Sequence, residues 1–238
     1  MKKLRVGVVG VGFIGASHLE AVRRIPFAEN AAIMNRTMAT AERRAEEFGV
    51  PKVYRSLEEM LADPEIDVVH NCTPNNAHLE VNRKIIKSGK HIFSEKPLAM
   101  TVAETSELVR LLKGHPDTVA GVNFNYRMNP LVQDMKNRIA AGEIGRPVLV
   151  HGSYLQDWLL YDTDYNWRCD EETAGASRAV ADIGSHWIDC VQAVVGSKIV
   201  EVCSNLKTAH PIRKKPLKET ETFTLSDPSD TEEKLITT

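Results

Sequence analysis

In the first half of the chain, apolar positions come in short β-branched runs separated by stretches with helical spacing. The runs predict strands over 4–9, 31–34, 52–54, 66–71, 91–94 and 118–122. The intervening segments predict helices near 13–25, 39–48, 57–62, 75–88 and 101–113. Ser56 to Glu59 and Thr101 to Glu104 fit the capping box, in which each side chain satisfies a backbone donor the other cannot reach. Gly49, Gly89 and Gly114 stand where helices should stop. Such strand–helix alternation implies an α/β fold: a doubly wound parallel sheet with helices on both faces and ligands at the carboxyl ends of its strands.

After residue 122 the rhythm changes. A helix is predicted near 130–141, ending at Gly142, then a long strand in RPVLVHGSYLQ, a polar and aromatic segment, a helix over 182–195 and a strand over 199–206. The stretch from 214 to 238 reads as a loop with at most one strand. The change places a boundary near residue 123, giving domains 1–122 and 123–238.

Charge and cysteine usage narrow the function classes. The formal net charge is −2 with no large block of one sign, which gives no electrostatic case for nucleic acid or a membrane surface. Cys72, Cys169, Cys190 and Cys203 show no CxxC spacing, so free thiols in a reducing, cytoplasmic setting are expected rather than a disulfide frame or zinc. The basic and apolar start, MKKLRVGVVGVGFIG, has the outline of a signal peptide, but glycines at 7, 10, 12 and 15 argue against one. No stretch is long and apolar enough to span a membrane.

The glycines have a better use. Gly10, Gly12, Phe13, Ile14 and Gly15 form GVGFIG directly after a predicted strand and at the opening of a helix. That context favours a dinucleotide, with the pyrophosphate on the helix N-terminus, over a mere packing turn. An NAD site usually offers an acid at the end of the second strand, but here the chain reads Asn35-Arg36-Thr37. Arg36 either suits a 2′-phosphate or is an ordinary exposed arginine, so the cofactor reading is NAD(P) with NADP slightly favoured; NAD remains open through Asn35. Thr73, Pro74 and Asn75 end the fourth strand and serve either as simple caps or as a wall of the cofactor site. His78 fits either a surface or a site position, and His18 carries little weight.

Two further motifs bear on catalysis. Glu95-Lys96-Pro97 ends the fifth strand on the glycine-turn edge, where a lysine beside a cationic nicotinamide ring can share a proton or position a hydroxyl. The plain alternative is a surface Glu–Lys pair. In the second domain, Asp182, His186 and Asp189 are spaced to share a helix face. A carboxylate beside an imidazole suits a general base; a metal site and a buried core histidine next to Trp187 stay open.

Together, GVVGVGFIG, TPNNAH at 73–78, EKP at 95–97 and DIGSHWID at 182–189 resemble the Gfo/Idh/MocA oxidoreductases along essentially the whole chain. The resemblance implies a Rossmann domain followed by an α+β domain on an open, largely antiparallel sheet, through which many members oligomerise as dimers or tetramers. It also implies that Lys96 positions and polarises a sugar or polyol hydroxyl, that His186, paired with Asp182, takes its proton, and that hydride passes to nicotinamide. Trp167 and Arg168 resemble a segment near the nicotinamide end, and Tyr126, Arg127 and Tyr154 match positions that shape the substrate pocket; Glu95 either supports the lysine or lines the nicotinamide pocket, and sequence does not choose. No metal is implied. NAD-assisted glycoside cleavage and a silent, cofactor- or sugar-sensing relative are the alternatives. Ala174-Gly175-Ala176-Ser177-Arg178 stands where relatives carry a run of glycines, so a differently shaped loop is expected. Relatives also continue through further strands, so the second sheet is expected to be incomplete here.

Overall fold

A computed structural model describes residues 2–217 and 231–236. The chain divides into two units, Met1–Asn123 and Phe124–Thr238. The first opens with β1 (Leu4–Val9), α1 (Phe13–Arg23), β2 (Ala28–Met34), α2 (Met38–Phe48), β3 (Lys52–Tyr54) and α3 (Leu57–Ala62). It continues with β4 (Val68–Asn71), α4 (His78–Lys87), β5 (His91–Ser94), α5 (Val102–Lys113) and β6 (Ala120–Val122). The strands form one parallel sheet in the order β3-β2-β1-β4-β5-β6. The order reverses between β1 and β4, and the crevice at such a switch point is where doubly wound sheets bind ligands.

The strands are apolar on both sides because helices cover both faces. Met60, Ile66, Val69, Ile85 and Leu108 belong to one buried cluster, and Val8, Leu19, Val22 and Ile33 to another. Strand β2 starts three residues earlier than its apolar run suggests. Glu29 and Asn30 pair with Arg5 and Val6, and a register shift between Val6 and Gly7 absorbs the extra residue. Arg5 Nη1 and Glu29 Oε1, 2.9 Å apart, explain why polar residues belong in that strand.

Helix α5 carries the expected capping box. Thr101 Oγ1 accepts from the Glu104 N–H at 3.2 Å, and Glu104 Oε2 accepts from the Thr101 N–H at 3.1 Å. Thr101→Ala should lower unfolding stability by about 1 kcal/mol, read as a shift in the urea midpoint with unchanged slope.

The second unit contains α6 (Pro130–Ala140), a single turn α7 (Glu171–Ala174), and α8 (Ser185–Val195), entered through a π-helical segment at Val180–Gly184. Strands β7 (Ile212–Pro216) and β8 (Thr231–Leu235) pair antiparallel. The buried Arg213 guanidinium donates to the carbonyls of Leu159, Tyr161 and Asp164.

Three expectations need correction. Neither 146–156 nor 199–206 is a strand. A strand exists only when its backbone groups meet a neighbour, and neither segment has a ladder partner among the described residues. Val148 is 95% exposed and Val200 90%, so the apolar residues that suggested strands are not packed into a core here. The tail holds strand β8, and its first residues belong to β7, whose lysines and proline gave no apolar signal; residues 218–230 lie outside the described residues.

Candidate functional site

At the carboxyl end of β1 the chain turns through Gly10, whose φ is +82°. A Cβ at Gly10 would stand 2.7 Å from the Cys72 carbonyl oxygen, and one at Gly15 would stand 2.1 Å from the Gly10 oxygen. Both positions therefore need glycine for the turn and helix to close. Gly12 is different, because a Cβ there would meet nothing within 4 Å. Its missing side chain serves no internal packing and leaves open space against the turn. Helix α1 starts at Gly12 with no side-chain cap and no acid in its first turn, which favours an anion. These features fit a dinucleotide pyrophosphate. Asn35, at the end of β2, braces the turn: its Oδ1 accepts from the Val11 N–H at 3.2 Å. Arg36 beside it is exposed.

The next two strand ends are joined by a buried polar framework. Asn71 Oδ1 accepts from both the N–H and the hydroxyl of Thr73, while Asn71 Nδ2 donates to Asn82 Oδ1 at 2.7 Å. Asn82 is fully buried and its Nδ2 reaches Ser94 Oγ and the Leu98 carbonyl. His78 is 1% exposed and sets one ring nitrogen 2.6 Å from the Pro97 carbonyl and the other 2.8 Å from the Thr73 carbonyl. Asn75 is buried in the turn before α4. The Lys96–Pro97 peptide is cis.

Glu95 is buried as well, and its partners come from α1 and the end of β6. Oε1 accepts from His18 Nε2 at 2.9 Å and from Asn123 Nδ2 at 2.6 Å, and Oε2 accepts from the Lys96 N–H at 3.2 Å. Burial alone would raise the Glu95 carboxyl, but His18 and Asn123, with the Lys96 N–H, hold it below its ordinary value. His18 Nδ1 lies 3.0 Å from His70 Nδ1, so one ring donates and the other accepts. Burial, with His18 nearby, pushes the His70 imidazole down to about 3, which keeps it neutral. Sequence reading gives His18 little weight and passes over His70, Asn71, Asn82 and Asn123. One signal is present: Asn82 stands four residues after His78 and three before Ile85, a polar residue on the buried stripe of α4.

In the second unit, His186 is buried in the first turn of α8. The Tyr126 ring stacks on its imidazole with centroids 4.1 Å apart, and Phe124 meets it edge-on at 5.9 Å. The Tyr126 and Tyr154 hydroxyls are 2.8 Å apart, and that bond, with burial, pushes the Tyr126 phenol up to about 12. Tyr126 and Tyr154, both matched to the substrate pocket by resemblance, therefore form one aromatic stack beside the histidine. Asp182 lies in the π-helical segment, a feature frequent at functional sites. Arg168 Nε donates to Asp182 Oδ1 at 3.1 Å, and its guanidinium lies 4.5 Å from the Trp167 ring and 5.7 Å from that of Trp158. Arg127 faces Asp189 with two guanidinium nitrogens, a bidentate pair tying the turn at Asn125–Met128 to α8. The two acids flanking His186 in sequence are thus each engaged by an arginine. Arg178 takes φ +28°, a conformation that glycine adopts with less strain. No group of three His, Cys, Asp or Glu among the described residues is arranged to hold a metal. No helix among them is long and apolar enough to cross a membrane.

A parallel doubly wound sheet with a glycine turn at its switch point defines a dinucleotide-binding domain, followed here by a second unit with a buried histidine. The chain belongs to the Gfo/Idh/MocA oxidoreductase family. Residues 4–124 match its NAD-binding Rossmann fold and residues 132–231 its C-terminal domain. Among curated proteins, levoglucosan dehydrogenase of Pseudarthrobacter phenanthrenivorans is 35% identical over 82% of this chain and 52% of its own length. An oxidoreductase domain protein from Kribbella flavida superposes with a TM-score of 0.87 at 30% identity, over 93% of this chain and 62% of its own. A levoglucosan dehydrogenase in complex with NADH and levoglucosan gives 0.78 at 34% identity, over 82% and 55%. The chain spans about half the length of the curated relatives it matches.

Proposed function

We propose that this chain carries the cofactor domain and proton-transfer residues of an NAD(P)-dependent oxidoreductase acting on a CH–OH group of a sugar, polyol or related cyclic hydroxy compound. The observation that carries the reading is the shared carboxyl edge of one parallel sheet, which presents the Gly10–Gly15 turn after β1 and Lys96 after β5. The levoglucosan dehydrogenase structure with NADH and levoglucosan supports the same pairing of cofactor and substrate class.

When bound, the nicotinamide supplies the hydride chemistry. Gly10, Gly12, Phe13, Ile14 and Gly15 hold the pyrophosphate, Asn35 and Arg36 the adenosine end, and Thr73, Asn75 and Glu95 wall the pocket. Lys96 positions and polarises the reacting hydroxyl. His186 would take the hydroxyl proton and keep it on the enzyme, in step with the hydride acceptance that a bound nicotinamide would supply. Asp182, held by Arg168, keeps carboxylate charge near that base; Trp167 and Arg168 are assigned to the nicotinamide end by the family resemblance. Tyr126 and Tyr154 offer an aromatic face to the substrate and Arg127 anchors the turn that carries Tyr126. The setting is cytoplasmic and the full-length protein oligomeric.

Screening sugars and inositols with NAD and NADP on the full-length protein tests the reading through nicotinamide absorbance. Reduction that depends on a hydroxy substrate supports it. Cleavage of a glycoside with no net absorbance change overturns it in favour of hydrolysis. Cofactor choice has its own test. Arg36→Ala should weaken NADPH by roughly tenfold or more, the size of a lost charged hydrogen bond, and leave NADH nearly unchanged in fluorescence titrations. Equal effects on both would remove the preference for NADP.

A further inference from the structure

His78 is fixed by two groups that can only accept. Its Nδ1 is 2.6 Å from the Pro97 carbonyl and its Nε2 is 2.8 Å from the Thr73 carbonyl. A neutral imidazole has one N–H, so it serves one carbonyl at a time. Burial lowers the pKa of the ring, the two carbonyls and Glu95 oppose that shift, and Lys96 reinforces it. The ring is therefore expected to be mainly neutral at pH 7 and to choose between two partners. The shorter contact is the one to Pro97.

Other polar anchors of this segment are also buried side chains. Glu95 Oε2 holds the Lys96 N–H, Ser94 Oγ reaches the Glu95 carbonyl, and Asn82 reaches the Leu98 carbonyl. The carbonyl of Pro97, next to the lysine, is met by His78. From this geometry we propose that His78 is a positioning residue: its Nδ1–H holds the Pro97 carbonyl and so fixes the direction in which the backbone presents Lys96. The inference rests on the reading of Lys96 as the lysine that handles the substrate hydroxyl. It differs from a cofactor contact, because the ring meets main chain of its own domain on both sides.

Two amide substitutions separate the two contacts. In His78→Asn the amide nitrogen stands close to where Nδ1 stood, and in His78→Gln it stands close to where Nε2 stood. His78→Asn should keep most of kcat. His78→Gln should lower kcat roughly ten- to a hundredfold, the scale of a small misplacement of a reacting group, with KM and NADH affinity unchanged in both. Hydrogen exchange at the Lys96 amide should quicken in His78→Gln and stay protected in His78→Asn. Equal kcat in the two variants, or a loss of kcat that follows a loss of NADH affinity, overturns the proposal. If the wild type turns over no sugar or polyol, the oxidoreductase reading fails, while the exchange contrast still decides whether His78 holds the Lys96 segment.

Discussion

His186→Asn should lower kcat about 10²- to 10⁴-fold, the usual worth of a positioned general base. The substitution keeps a polar side chain beneath Tyr126 but removes the proposed proton acceptor. NADH affinity should stay within about twofold, because the turn proposed to bind it belongs to the first domain and its geometry is set locally by Gly10, Gly15 and Asn35. Since His186 is buried against Tyr126, part of any loss could come from unfolding. The thermal midpoint of His186→Asn and a second variant, His186→Gln, separate the two effects. A kcat within about threefold of wild type in both folded variants would exclude His186 as the base.

The second large effect is on stability. Glu95→Ala should cost about 3 kcal/mol, because it leaves His18 Nε2 and Asn123 Nδ2 without their acceptor in a buried site. Glu95→Gln should cost less, since the amide oxygen at the Oε1 position still accepts from His18 and Asn123 while its NH₂ opposes only the Lys96 N–H. The acid limb has a definite sign. The folded carboxyl lies below its ordinary value, so its stabilisation is fully present above the unfolded carboxylate pKa. It fades as pH falls from there through the folded value. Urea midpoints of wild type and Glu95→Gln should therefore converge under acid conditions and diverge toward neutrality. Parallel curves over that range would remove Glu95 as an ionised anchor.

The first domain is legible in the sequence because three signals agree there. β-branched runs mark strands, capping residues mark helix starts, and glycines mark the turn, so the β1–α1 unit and Lys96 at the end of β5 follow from sequence. The second domain is less so. The apolar run in 146–156 has the composition of a strand, but composition does not supply a hydrogen-bonding neighbour. The spacing of Asp182, His186 and Asp189 suggests one cooperating face, whereas the structure shows arginines brought from distant positions, Arg168 and Arg127, onto the two acids. The polar framework behind Lys96 is hidden for a similar reason. Asn71, Asn82 and Asn123 are ordinary singly and acquire meaning only when the sheet brings strand ends together. Glu95 shows the gain: it is the hub between α1, β5 and β6 rather than half of a surface pair.

The Arg127–Asp189 pair bears on how this protein could be re-engineered. It clamps the turn carrying Tyr126 onto α8 one residue away from the ring that covers His186. The clamp and the ring are separate side chains, so the aromatic lid is a replaceable part on a fixed mount. If the proposed substrate role of these tyrosines holds, libraries should vary Tyr126 and Tyr154 together, since their hydroxyls are bonded, and leave Arg127 and Asp189 untouched.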